Sequence, residues 1–245
     1  MISDKELDIL IAKVYSGEVD INSLPVNLYN AVSKHLIGAL EKIEGTISKS
    51  LARELSENLQ YFAGSKTYQF IKELEILKNK DEIKTFAEFK TEALAVNEQY
   101  NVNWLSSEYA TTIGQAQMCE RWEQIMEQKQ QLPFLQYSAV IDDNTSEICL
   151  PLDGITLPVD DDFWDSNSPE NHYNCRCSLT QLDEFDAEVT PKEDAESAEA
   201  KINEERQPLF SGNPYKDKEI FNSSHPYFDL DKGGAKAVDD LVNGE

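Results

Sequence analysis

The chain has 245 residues, 40% of them hydrophobic, with 46 acidic against 22 basic side chains and a net charge of −24. That length supports one compact domain with appendages, and the charge disfavours direct binding to duplex DNA or an anionic membrane, whose phosphates are met by lysine and arginine. No apolar run nears the roughly 20 residues that span a bilayer, the start MISDKELDILIAKV lacks the basic lead of a signal peptide, and four cysteines are too few for a disulfide scaffold, so a soluble, non-secreted protein of a reducing compartment is expected.

The first two-thirds should be mostly helical. Ser3 and Glu6 have capping-box spacing, Leu7, Leu10, Ile11 and Val14 share one face, and Gly17 ends the pattern. A second helix should run from Pro25 to about Glu44, with Leu28, Val32, Leu36, Ile37, Leu40 and Ile43 on one side and Gly45 as its stop. The stretches SKTYQFIKELEILKN and TFAEFKTEALAVNEQYN continue at helical spacing, the second through Phe86, Phe89, Ala93 and Val96. The longest helix should start near Asn103 and carry Leu105, Tyr109, Thr112, Ala116, Cys119, Trp122 and Met126 in one stripe. Cys119, Trp104 and Trp122 read as core packing.

Pro133 stops the helices, and Tyr137 to Ile141 is a β-branched and aromatic run closed by the turn formers DDNTS. GITLPVD and CRCSLTQL are further short strands, the first confined by Gly154 and Pro158 to an edge. After Leu182 the segment 183–206 has ten acidic residues against three basic ones and almost no large apolar side chains, the composition of an extended or fraying linker in which EDAESAEAKINEE, residues 193–205, can be helical only transiently. Phe210, Tyr215, Phe221, Tyr227 and Phe228 then return among turn residues, as in a docking segment. The expected architecture is α+β: a helical region 1–61, a module 62–182 in which long helices support a small sheet and a Cys/His loop, and an acidic, largely disordered tail 183–245.

Cys149 and, across 22 residues, His172, Cys175 and Cys177 make the main chemical cluster. Three sulfurs and one imidazole nitrogen are a plausible tetrahedral set for a structural zinc ion, although C-x-C offers two sulfurs to one ion less readily than C-x-x-C. Ordinary buried packing of the same groups is the competing reading. A disulfide from Cys149 to Cys175 or Cys177 would need an oxidising compartment, and a Cys175 nucleophile would need His172 held as its base. Asp160 to Asp162 lack the alternation of a calcium loop and suit a solvated loop or the cap of a one-turn helix. No phosphate-cradling glycine loop, G-x-S-x-G or H-E-x-x-H is present.

The order AVIDDNTSEICLPLDGITLPVDDDFWDSNSPENHYNCRCSLTQL, residues 139–182, resembles the signature of the phage Mu F-like minor head proteins, the head morphogenesis family. Asp142, Thr145, Cys149, Leu152, Asp153, Gly154, Pro158, Phe163, Trp164, Asn174, Cys175, Arg176 and Cys177 fall on its pattern, and the resemblance extends over roughly residues 62–182. HYNCRC stands here where HPNCRC is commoner. The resemblance implies a non-enzymatic protein of the virion, in the capsid interior or at the portal vertex and in the host cytoplasm during assembly, whose partners are the portal or major capsid protein. It also implies two thiol-bearing knuckles that meet in space, with Arg176 pointing away from them. Toxin-carrying relatives make a carrier or interaction module the alternative, with a metal-dependent hydrolase behind it. The 60 or so residues after the module are too few for a fused enzyme fold.

Overall fold

The computed structural model describes residues 1–43, 46–80 and 85–244. The chain forms two compact units: Met1–Ala39, Ser56–Tyr109 and His225–Glu245 make the first, and Leu40–Leu55 with Ala110–Ser224 make the second. The elements are α1 (Asp4–Ser16), α2 (Val26–Leu40), α3 (Lys49–Lys78), α4 (Phe86–Glu98), a π-helical segment Gln99–Trp104, α5 (Leu105–Gln128), β1 (Phe134–Ser138), β2 (Thr156–Pro158), α6 (Phe163–Ser166), β3 (Ser178–Leu182), α7 (Lys192–Glu205), α8 (Pro214–Asp217) and α9 (Lys232–Asn243). The mainly helical α+β architecture is the one expected.

In the first unit the Ser3 hydroxyl accepts from the Glu6 N–H, the Glu6 carboxylate accepts from the Ser3 N–H, and Gly17 ends α1 in the left-handed conformation with φ 83°. Leu7, Leu10, Ile11 and Val14 are buried, as the spacing requires. Glu44 and Gly45, the expected end of the second helix, lie outside the described residues. Lys66 of α3 is fully buried and donates to Glu108 (2.9 Å) and to the Tyr227 hydroxyl (3.0 Å). Close approach in this unit depends on glycine: a Cβ on Gly234 would lie 2.6 Å from Cζ of Tyr68. Trp104, expected in the core, is 41% exposed and leans on Tyr100.

The second unit holds an antiparallel sheet in the order β2-β1-β3, with Leu135 opposite Leu157 on one side and Gln181 on the other. Alternation turns Leu135, Tyr137 and Leu179 inward, where Met118, Trp122 and Ile125 of α5 cover them. β2 is an edge strand, as expected. The central strand covers 134–138 instead of 137–141, because its pairing with β3 runs from Phe134–Leu182 to Ser138–Ser178, and Val140 and Ile141 are left exposed before the Asp142 turn. Cys119 and Trp122 are fully buried, whereas Met126 is exposed and Ile125 takes the inward position. A one-turn α6 follows Asp162, with Asp161 accepting from the Phe163 N–H at 2.9 Å.

The acidic segment differs from the extended or fraying linker its composition suggests. Residues 192–205 form α7, which buries Ala195, Ala198 and Ile202 in the same core as the sheet. Ahead of it, Thr190 bonds the exposed edge of β2, its N–H donating to the Thr156 carbonyl (2.8 Å) and its hydroxyl accepting from the Thr156 N–H (2.9 Å). Two alanines and one isoleucine at i, i+3 and i+7 make a narrow inward stripe, and averaging over a strongly charged window hides it. The aromatic residues that follow do pack: Phe210 meets the Tyr173 ring edge-on at 4.7 Å, and Tyr215 stacks on Trp122.

A three-thiol cluster and its support

Cys149 precedes a short 3-10 turn, Leu150–Leu152, which the Tyr137–Ile155 and Gly154–Tyr137 backbone hydrogen bonds pin to the central strand. Cys175 and Cys177 lie in the segment leading into β3. Asn174 just before them has φ 60°, a left-handed turn that asparagine tolerates. Side chains two residues apart in an extended segment share a face, so Cys175 and Cys177 present their sulfurs together while Arg176 turns the other way. Arg176 makes a two-pronged ion pair with Asp142, both contacts at 2.7 Å, which holds the Asp142 carboxyl down at about 2, the backbone N–H of Asn144 adding to it.

The sulfurs of Cys149, Cys175 and Cys177 all lie within 4.8 Å of one another, and those of Cys149 and Cys175 are 3.7 Å apart. This is far beyond an S–S bond of about 2.05 Å, and all four cysteines are free thiols. It is close to the edge of a tetrahedron around zinc, about 3.8 Å for metal–sulfur bonds of about 2.3 Å. Hydrogen bonds from Cys149 first, then from Cys177, His172 and the Asn171 N–H, hold the Cys175 thiol well below its usual range against the effect of burial, and Cys149 is pushed up by its bond to Cys175.

His172 stands beside the trio, outside the 4.8 Å group. Its Nδ1 is 2.9 Å from the Tyr173 carbonyl and its ring hydrogen-bonds to Cys175, which raises its pKa although burial opposes the shift. An Nδ1–H donated to the carbonyl leaves Nε2 as the nitrogen able to bind a metal, the usual arrangement of a ligating imidazole. Cys119 takes no part in the cluster; burial in the α5 core pushes it up to about 12. Close by, burial, and after it the charge on Cys175, pushes Glu170 up to about 9.

Three residues that the sequence did not single out support the thiols. The Tyr137 hydroxyl donates to the Cys149 sulfur at 3.6 Å and also bonds to Cys177. Asn171 donates from Nδ2 to the Tyr137 hydroxyl at 3.0 Å. Arg206, after the last turn of α7, donates to Asn171 Oδ1 at 2.7 Å. Tyr137 was legible only as a strand residue, and nothing local in EERQP marks Arg206.

The fold and the cluster define an α+β module whose sheet is closed at one end by inward-facing thiols. Residues 30–180 match the family described as Phage Mu protein F like protein, and the chain belongs to that family. It is 36% identical over 62 residues to the "Putative capsid assembly protein F" of Escherichia phage Mu, which covers 25% of this chain and 14% of that protein. It is 35% identical over 65 residues to the "Mu-like prophage FluMu F protein" of Haemophilus influenzae, covering 26% and 16%. The aligned part is therefore less than a fifth of either relative. No solved structure matches. Among the described residues no helix is long and apolar enough to cross a membrane.

Proposed function

We propose that this protein is a non-enzymatic component of a tailed-phage or prophage head, bound to the portal or major capsid protein and acting in head morphogenesis or genome packaging. The family match over residues 30–180 carries the reading, and the capsid-assembly name of the phage Mu relative gives it direction. The strong negative charge favours protein partners over direct contact with DNA. The thiols are turned into the core, Cys149 being 1% and Cys175 8% exposed, which suits a structural site better than a nucleophile that must meet a substrate.

Within this reading the cluster is a structural zinc site formed by Cys149, Cys175, Cys177 and, through Nε2, His172. Zinc there would tie the 149 turn to the lead-in of β3, and its binding free energy would add to folding stability because the unfolded chain cannot present four ligands at once. Two measurements test the proposal. Affinity purification from cells producing the phage structural proteins should recover portal or major capsid protein; recovery of duplex DNA bound tightly at physiological salt, with neither protein present, would overturn it. Elemental analysis should find about one zinc per chain, lost in Cys175→Ser, and metal-free protein of unchanged stability would remove the metal from the reading.

A further inference from the structure

Arg206 is 6% exposed, and its guanidinium is held by neutral groups. Nη1 donates to the Ser166 carbonyl (2.7 Å), Asn167 Oδ1 (3.0 Å) and Asn171 Oδ1 (2.7 Å), while Nη2 donates to Asn203 Oδ1 (2.7 Å) and the Ser211 hydroxyl (3.5 Å). None of these acceptors is a carboxylate. The nearest opposing charge is the Glu199 carboxylate, which accepts from Asn167 Nδ2 at 2.9 Å and favours the charged guanidinium against its burial.

The direction of its hydrogen bonds also connects the guanidinium to the thiols. Asn171 accepts from Arg206 with its side-chain oxygen, passes a hydrogen bond to Tyr137 with its side-chain nitrogen, and uses its own backbone N–H on the Cys175 sulfur. Tyr137 in turn points its O–H at Cys149. Every donor in this chain is aimed toward sulfur. The arginine fixes the amide so that oxygen faces the guanidinium and NH2 faces the phenol, and the phenol, whose oxygen already accepts, has its hydrogen left for the thiols.

We propose that Arg206 is a positioning residue of the thiol cluster, locking Asn171 and Tyr137 against Cys149, Cys175 and Cys177. It rests on the reading of the cluster as a metal site. Arg206 lies 26 positions past residue 180, where the family match ends. The site is therefore completed from outside the matched region, by the helix that the acidic composition conceals.

The test compares the full-length wild type with Arg206→Gln, Arg206→Lys and Tyr137→Phe, the last removing only the hydroxyl. Competition with a chromogenic chelator should show zinc affinity lowered about 10- to 100-fold in Arg206→Gln and Tyr137→Phe, the range for lost outer-shell partners, with partial recovery in Arg206→Lys. The thiolate-to-cobalt charge-transfer band of the Co(II)-loaded proteins should shift in the same order. In metal-free protein, Ellman's reagent should reach the thiols of Arg206→Gln at least about tenfold faster, since opening of the support exposes them. Equal zinc affinity and equal thiol reactivity in the wild type and both support variants would overturn the proposal. A wild type that takes up neither zinc nor cobalt would refute the metal site, and thiol reactivity would still decide whether Arg206 holds the support in place.

Discussion

Replacing Ile202 by alanine tests whether the acidic segment is part of the folded unit. Ile202 is 1% exposed and packs in the core that contains Trp122, Trp164 and Leu179. The substitution deletes three carbons, about 2.4 kcal/mol at roughly 0.8 kcal/mol per buried methylene, and the cavity left in a core between helix and sheet raises the expected loss to about 2–5 kcal/mol. Urea unfolding followed by tryptophan fluorescence is a suitable assay, because Trp122 and Trp164 are both fully buried in this unit and Trp104 belongs to the other. The control is Glu193→Ala, on the exposed start of the same helix. If Ile202→Ala stays within about 0.5 kcal/mol of wild type, the range of ordinary surface substitutions, and cleavage by proteases between 183 and 206 is unchanged, α7 is not docked and the composition argument was right.

In the first unit, Lys66→Met should lose about 3–5 kcal/mol by stranding the buried Glu108 carboxylate, while the double variant Lys66→Met/Glu108→Leu should recover most of it in thermal melts. His225 is held at about 4 by burial first and then by the Lys66 charge. Its folded pKa is thus below its unfolded value of about 6.5, so its contribution is complete above pH 6.5 and is lost as pH falls toward 4, by at most about 3.5 kcal/mol at roughly 1.4 kcal/mol per unit. His225→Asn keeps an acceptor for the Tyr227 N–H and should flatten that part of the melting-temperature profile. Gly114→Ala puts a Cβ 1.8 Å from Oε1 of the buried Glu170 and should cost about 1–3 kcal/mol in calorimetry, whereas Gly38→Ala, with open space around it, should be neutral or stabilising.

Local signals that depend on a few neighbouring residues were readable in the sequence. The Ser3–Glu6 cap, the left-handed Gly17, the edge position of β2 and the outward turn of Arg176 each follow from spacing or from one residue's backbone preference. The convergence of Cys149 with Cys175 and Cys177 was legible from the two thiol-bearing segments, and the three sulfurs do lie within 4.8 Å of one another. What was not legible depended on distant partners. Strand β1 was misplaced by three residues because β3 sets its register, and Trp104 was placed inside because the general burial tendency of tryptophan does not say whether its face of a helix meets a neighbour. Helix α7 was expected only as a transient helix, and its docking was missed, because mean composition carries no phase. His172 stands close in sequence to both cysteines, yet its ring is turned to the Tyr173 carbonyl and reaches only Cys175.

The first unit is assembled from both ends of the sequence, residues 1–39 and 56–109 joined by 225–244, while the second is complete at Ser224. On a ribosome the order of completion is therefore the reverse of the order of synthesis. Lys66 emerges long before Tyr227, the hydroxyl that shares its buried ammonium, and Tyr68 long before the glycine of α9 that fits beneath its ring. Until residues 225–244 are made, α1 to α4 remain an unfinished nucleus with an open flank, and contacts spanning about 160 positions close only after the second unit is available. A chain released after Ser224 should thus already protect the thiols while still exposing Phe62 and Lys66.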